Sequence, residues 1–186
     1  FKLDFYWHAL VTRIFDRHGF GSIRATKKLL KKIDYIKPDI IHLHNLHGYY
    51  INIEILFNYL ARKEIPIVWT MHDCWSFTGH CSHFEFVDCN KWRESCYSCP
   101  QRSSYPSSLI KDNSKENFLN KKRLFNSVHN MTIVPVSNWL DNKIKYSYLN
   151  GFKSRVIQNG IDLEVFKPSK SASFIDDYNL HNKFII

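Results

Sequence analysis

The sequence predicts an α/β fold, a Rossmann-like parallel sheet flanked by helices and interrupted by a Cys-rich segment. Three observations predict it. Short runs rich in β-branched and aromatic residues alternate with segments of helical period. The connections are long enough for crossover helices, as parallel strands require. Each apolar run gives way directly to polar or turn-forming residues, the pattern of strands whose C-terminal ends carry ligands. A chain of 186 residues with 44% hydrophobic content can bury a real core.

Taken in order, Asp4 to Asp16 has helical spacing, with Phe5, Leu10, Ile14 and Phe15 as its apolar residues, and His18-Gly19-Phe20-Gly21 stops it. Ser22 can cap a second helix, in which Ile23, Thr26, Leu29, Leu30 and Ile33 share a face opposite Arg24, Lys27, Lys28 and Lys31. Pro38 breaks that pattern, and Asp39 to Leu43 reads as a strand running into His44, Asn45, Leu46, His47 and Gly48. Ile51, Ile55, Leu56, Tyr59 and Leu60 recur at helical spacing, with Arg62 and Lys63 at the end that favours positive charge. Pro66 opens the next strand, Ile67 to Met71, which ends in His72-Asp73.

Between Cys74 and Ile110 no period is sustained, and an irregular segment that long needs a staple or a function. Asp112 to Val128 is helical again, with Phe118, the stem of Lys122 and Phe125 on one face. Met131 to Val136 makes a third strand ended by Ser137. Asn138 can cap a helix with Leu140 and Ile144 facing inward, and Gly151 closes that region. Arg155 to Ile157 reads as a short fourth strand before the turn Asn159-Gly160.

In a parallel sheet these strand ends lie along one edge, so distant residues can line a single cleft. His72 and Asp73 are the candidate catalytic pair, an imidazole and a carboxylate at the rim of the sheet. His44, Asn45, His47, Ser137, Asn159 and Gly160 are candidate substrate-binding residues. Helix capping accounts for Ser137 and Asn138 as well as ligand binding does, and ordinary packing is an equal account of His44 and His47. Neither a GxGxxG nor a GxxxxGK[ST] loop is present, which leaves dehydrogenase-type and P-loop nucleotide binding unsupported.

Cys81, Cys89, Cys96 and Cys99 follow the spacing C-x7-C-x6-C-x2-C. Clustered thiols in a reducing compartment suggest metal ligands before disulfides, and four thiolates suit a closed, structural zinc that does no chemistry. Free thiols are the other reading, and His80 and His83 are alternative ligands. Cys74 reads as a small buried hydrophobe.

The 26 Lys and Arg against 17 Asp and Glu give +9, a surface suited to anionic partners. A zinc-stabilised nucleic-acid binder fits that charge, but the basic residues are spread over several helices, and no nucleic-acid partner is expected. No apolar run approaches the ~18 residues of a membrane span and no signal peptide is visible, so the expectation is a cytoplasmic protein. Missing a start methionine, and ending at Phe184, Ile185 and Ile186 as a strand would begin, the chain reads as a fragment.

Five stretches together carry a resemblance: KPDIIHLHNLHGYYIN (37–52), VWTMHDCWSFTGHC (68–81), CPQ (99–101), VSNWL (136–140) and VIQNGIDLEVFKP (156–168). They resemble bacterial family 4 glycosyltransferases, nearest to the colanic-acid and exopolysaccharide type. The resemblance implies the N-terminal domain of a GT-B fold, two Rossmann-like domains facing across a cleft. Residues 1–158 would form the acceptor-side domain with its Cys-rich insertion at 74–110, residues 159–182 the interdomain linker, and residues 183–186 the start of a donor-binding domain. It also implies a retaining transfer without a required cofactor, from a nucleotide-sugar donor to a glycan or lipid-linked acceptor. His72 would reach the donor sugar, with Asp73 its neighbour in the motif; Asp73 would fix the His72 tautomer or hold an acceptor hydroxyl. His44, Asn45 and His47 would shape the acceptor side, and Asn159 and Gly160 the hinge near the diphosphate. The basic helix from Arg24 to Lys32 would suit contact with anionic membrane at its inner face. A non-catalytic sugar- or partner-binding domain is the alternative.

Overall fold

The computed structural model describes residues 2–167 and 173–184. Among these residues four strands form one sheet in the order β1-β2-β3-β4, every neighbour parallel: β1 Ile41–Leu43, β2 Ile67–Met71, β3 Met131–Pro135 and β4 Lys153–Ser154. Among the described residues six helices accompany them: α1 Lys2–Phe15, α2 Ile23–Ile36, α3 Ile53–Leu60, α4 Ser114–Phe125, α5 Asn138–Lys145 and the short α6 Ser173–Asp177. The expected Rossmann-like parallel sheet is therefore present. The edge strand β4 lies two residues before its expected place. Its ladder nonetheless continues through Arg155 N–H to Ile133 O (3.0 Å) and Ile157 N–H to Pro135 O (3.1 Å).

The core follows from the strand pattern. β2 is buried along almost its whole length, as a strand with a neighbour on each side should be. Trp69 meets Phe57 of α3 (5.6 Å between ring centroids) and Phe125 of α4 (4.9 Å), and those two rings lie 4.5 Å apart. These three aromatic rings tie two helices to the middle of the sheet. Asn52 caps α3 by accepting from Ile55 N–H.

Several helix details depart from the sequence reading. α1 leaves Phe5, Leu10 and Phe15 exposed and buries the polar His8 and Thr12 instead. The reason is local: His8 Nδ1 bonds Ser22 Oγ (2.9 Å), its Nε2 accepts from Gly19 N–H (3.0 Å), and Gly21 comes so near that a Cβ there would meet the His8 ring at 2.3 Å. Ser22 stands at the start of α2 in a left-handed conformation and caps nothing; its hydroxyl donates to Tyr49 O. Ile23 and Leu29 are exposed, and α2 turns Thr26, Leu30 and Ile33 inward. In α4 the buried lysine is Lys121, while Lys122 is exposed. Ser137 caps α5, accepting from Leu140 N–H, so Asn138 is its first helical residue.

Residues 74–110 contain no strand and no α-helix, only 3-10 turns at Trp75–Phe77, Glu85–Val87 and Lys91–Arg93. A buried polar network fastens this segment to the body. Asp16 Oδ1 lies 2.6 Å from His80 Nδ1, with neither side chain more than 1% exposed, and Asp16 Oδ2 accepts from Asn113 N–H (2.9 Å). The Asp16 carbonyl accepts from Asn117 Nδ2. Burial alone would depress the His80 pKa; the Asp16 carboxylate outweighs it and raises it. Gly79 is required here, because a Cβ would fall 2.1 Å from Ser114 O. Pro168, Ile185 and Ile186 of the expected linker and following strand lie outside the described residues.

Candidate functional site

The site is built where β1 and β2 end. Leu43 pairs with Trp69, so the chain leaves β1 about two residues before it leaves β2, and the loop after β1 folds over the neighbouring strand end. His44 Nδ1 comes 3.2 Å from His72 Nε2 with the two rings stacked at 25°. At that distance a proton on either nitrogen bonds the other. Below them His42 Nε2 bonds Thr70 Oγ1 (2.8 Å). His47 Nε2 stands 2.9 Å from Asp73 Oδ2, an ion-pair distance at which its N–H is poorly aligned for a hydrogen bond. Asp73 Oδ1 accepts from Trp75 N–H (2.9 Å), which opens the 3-10 turn that follows. Burial would raise the Asp73 pKa; the His47 ring and the Trp75 amide outweigh it and hold the carboxyl below the ordinary range.

The expected partner of Asp73 changes accordingly: it is set against His47, and His72 is set against His44. Asn45 is exposed, and its carbonyl accepts from the Tyr50 hydroxyl. Ser137 follows β3, where Val136 N–H bonds Met71 O (3.3 Å), one strand over from His72. Asn159 and Gly160 are exposed and share no hydrogen bond with the histidines among the described residues. β4 is two strands from β2, and strands about 4.8 Å apart put that end roughly 10 Å to the side.

Trp75, fully buried, is the floor on which the histidines and the core meet. Lys121 Nζ lies 3.4 Å from a Trp75 ring centroid and donates to Trp75 O (2.8 Å) and Thr78 O (3.1 Å). Complete burial pushes its pKa down to about 7. On the site side, Trp75 meets His47 (5.1 Å) and His18 (5.5 Å). Tyr105 reaches in from the irregular segment, its hydroxyl donating to His47 O (3.2 Å) and standing 3.3 Å from His47 Nδ1. Sequence reasoning missed Lys121 and Tyr105, because neither carries a motif and each acts across more than forty residues of chain.

Cys81, Cys89, Cys96 and Cys99 line one small apolar pocket together with His80, Trp92 and Lys91, and all are free thiols. Gly79 N–H donates to Cys96 Sγ (3.2 Å), and Lys91 Nζ holds the carbonyls of Tyr97 and Ser98 (3.0 Å each), inside the Cys96–Cys99 turn. No three His, Cys, Asp or Glu side chains are gathered as a ready ligand set among the described residues. His83 is exposed beside Trp139 (6.2 Å), which leaves His80, committed to Asp16, as the pocket's imidazole. Among the described residues, no helix is long and apolar enough to cross a membrane.

A parallel α/β sheet with convergent imidazoles and a carboxylate beyond its strand ends defines a ligand-binding or group-transfer domain of the Rossmann-like class. The profile of Glycosyltransferase Family 4 matches residues 3–165, and the chain belongs to that family. It is similar to a protein of Escherichia coli (strain K12) described as "Putative colanic acid biosynthesis glycosyl transferase WcaC", with 28% identity over 159 residues, 81% of this chain and 38% of that relative. The chain thus spans well under half the length of the relative it matches. No solved structure matches it.

Proposed function

We propose that this chain is the acceptor-side domain of a glycosyltransferase that moves a sugar, with retention, from a nucleotide-sugar donor to a glycan or lipid-linked acceptor in surface polysaccharide biosynthesis. One observation carries the reading: His44, His47, His72 and Asp73 converge at the ends of two adjacent parallel strands. Family membership and the relative's name support the same class. Residues 1–158 would be that domain and residues 159–182 the linker to a donor-binding domain; the chain would work on the cytoplasmic side of the membrane.

Transfer builds positive charge at the sugar carbon and negative charge on the departing diphosphate, so the site must orient both partners and stabilise separated charge. The proton between His44 Nδ1 and His72 Nε2 decides what His72 offers. When His44 Nδ1 donates, the proton of His72 sits on its own Nδ1, where it can bond a sugar hydroxyl or a phosphate oxygen. When His72 donates through Nε2, its Nδ1 is an acceptor. His44 therefore sets the polarity of His72, while Asp73 holds His47 for the acceptor side. Transfer itself needs no cofactor in this reading. The four cysteines would hold a structural zinc away from the reacting atoms; the supporting observation is their convergence on one pocket with an N–H aimed at Cys96 Sγ.

The test is nucleotide release by the full-length protein from UDP- and GDP-sugars with membrane lipid extract as acceptor. His72→Ala is expected to lower release by about 100-fold, the scale of a lost catalytic contact. No release from any donor would overturn the transferase reading in favour of a binding domain. Release indifferent to His72→Ala would overturn the site.

A further inference from the structure

His80 keeps one ring nitrogen unpartnered beside the cysteines. Its Nδ1 is set against Asp16 Oδ1 (2.6 Å), and with that side of the ring taken, Nε2 is the nitrogen left for the pocket that His80 lines with the four thiols. Nε2 is buried and closes no hydrogen bond among the described residues, in a side chain 2% exposed. Trp92, on the wall of the same pocket and equally buried, has its Nε1–H in the same condition. Two orphaned polar atoms beside one cavity have lost their water without a replacement and call for an explanation.

The cavity has room for one atom. Its free volume is about 10 Å³, the scale of a single water and too small for a larger molecule. A water needs partners that hydrogen-bond well, and thiols do so weakly, whereas thiolate and imidazole are both zinc ligands. Asp16 supplies what a metal-bound imidazole has behind it, a carboxylate on the far nitrogen that fixes the tautomer and the ring. That carboxylate is itself fixed, because Oδ2 accepts from Asn113 N–H (2.9 Å). A cysteine sulfur moves by rotation about one bond while His80 is held, so the thiols can close on the imidazole. Charge favours the same set. Zinc with four thiolates is a dianion; with three thiolates and a neutral imidazole it is a monoanion, which costs less to bury among Phe84, Trp92 and Pro100.

We propose that His80 Nε2 is a zinc ligand beside the Cys96 and Cys99 thiolates, that one of Cys81 and Cys89 completes the set, and that Asp16 holds the imidazole from behind. This rests on the zinc reading above and replaces one of its four thiolates by an imidazole. Gly79 N–H, already on Cys96 Sγ (3.2 Å), and the free Trp92 N–H are donors suited to the bound sulfurs. Through Asp16 the metal would be tied to the end of α1 and the start of α4, so it would fasten residues 74–110 to the body as well as to themselves.

Zinc K-edge X-ray absorption of the full-length protein, purified without chelator, tests this without any substitution. Three sulfurs at about 2.3 Å and one nitrogen at about 2.0 Å are expected, with the outer-shell scattering of one imidazole. His80→Ala is expected to abolish the imidazole scattering and to weaken zinc at least tenfold in competition with a chromogenic chelator. His80→Cys is expected to keep zinc on four sulfurs, a rescue that a histidine serving only to anchor Asp16 would not allow. Asp16→Asn is expected to weaken zinc by about 10- to 100-fold with the imidazole scattering retained; unchanged affinity would remove Asp16 from the site. Of Cys81→Ser and Cys89→Ser, one is expected to lose a sulfur and the other to keep three. Four sulfurs without imidazole scattering in the unmodified protein, or imidazole scattering that survives His80→Ala, would overturn the ligand set and leave the zinc. Protein without stoichiometric zinc would overturn both readings and give the cavity to a water.

Discussion

His47 Nε2 stands 2.9 Å from Asp73 Oδ2, and this contact fastens the loop after β1 to the end of β2. Because the Asp73 pKa is depressed in the folded protein, its contribution is complete above the ordinary carboxylate range and fades as pH falls through the folded value. Asp73→Asn keeps an oxygen for Trp75 N–H and removes the charge. Urea denaturation at pH 7 is expected to show a loss of about 1 kcal/mol that shrinks as the pH is taken down below the ordinary carboxylate range. A loss that does not change with pH would mean that shape, not charge, matters at this position.

Lys121 is the reverse case, a buried base with its pKa depressed to about 7. Between that value and the ordinary lysine range the unfolded chain binds the extra proton, so this residue makes stability rise with pH. Its share of the slope is at most about 1.4 kcal/mol per pH unit. Lys121→Met removes it. Compared from pH 7 to 8, below the ordinary thiol range, the variant is expected to lack the rise shown by the wild type; parallel curves would contradict the assignment.

The Cys-rich pocket makes a compositional prediction. Protein purified without chelator is expected to carry about one zinc per chain, lost together with order in residues 74–110 when Cys96 and Cys99 become Ser. Metal analysis showing no stoichiometric zinc, with five thiols titrating freely, would remove the metal.

The outer faces of the first two helices predict a membrane contact. Leu3, Tyr6, Trp7 and Leu10 of α1 are exposed, as are Arg24, Lys27, Lys28, Lys31 and Lys32 of α2. Charge reversal at Lys27, Lys28 and Lys31 is expected to cut sedimentation with anionic vesicles at least tenfold, while neutral vesicles bind weakly in both cases. Unchanged sedimentation would count against this surface.

Much of the architecture was legible because periodicity is a local signal. Ile67–Met71 and Met131–Pro135 were readable as strands from four apolar residues and a β-branched threonine each, and the His-Asp that ends β2 stood out as polar residues in an unexpected place. Where the reading failed, a contact distant in sequence had overruled the local pattern. α1 buries His8 because Gly21 and Ser22 come to meet it, and α4 buries Lys121 because the Trp75 ring and two carbonyls wait there. Neither helix announces this in its own residues.

By itself the sequence determined the alternation of strands and helices, the parallel sheet, the family, and the residue types at each strand end, since all of these follow from local pattern and motif. Only the tertiary structure decided the pairings: His44 with His72, His47 with Asp73, Asp16 with His80, and Tyr105 over His18. Strand register and the path of an irregular loop set these distances, and neither is encoded in the spacing of the residues they join.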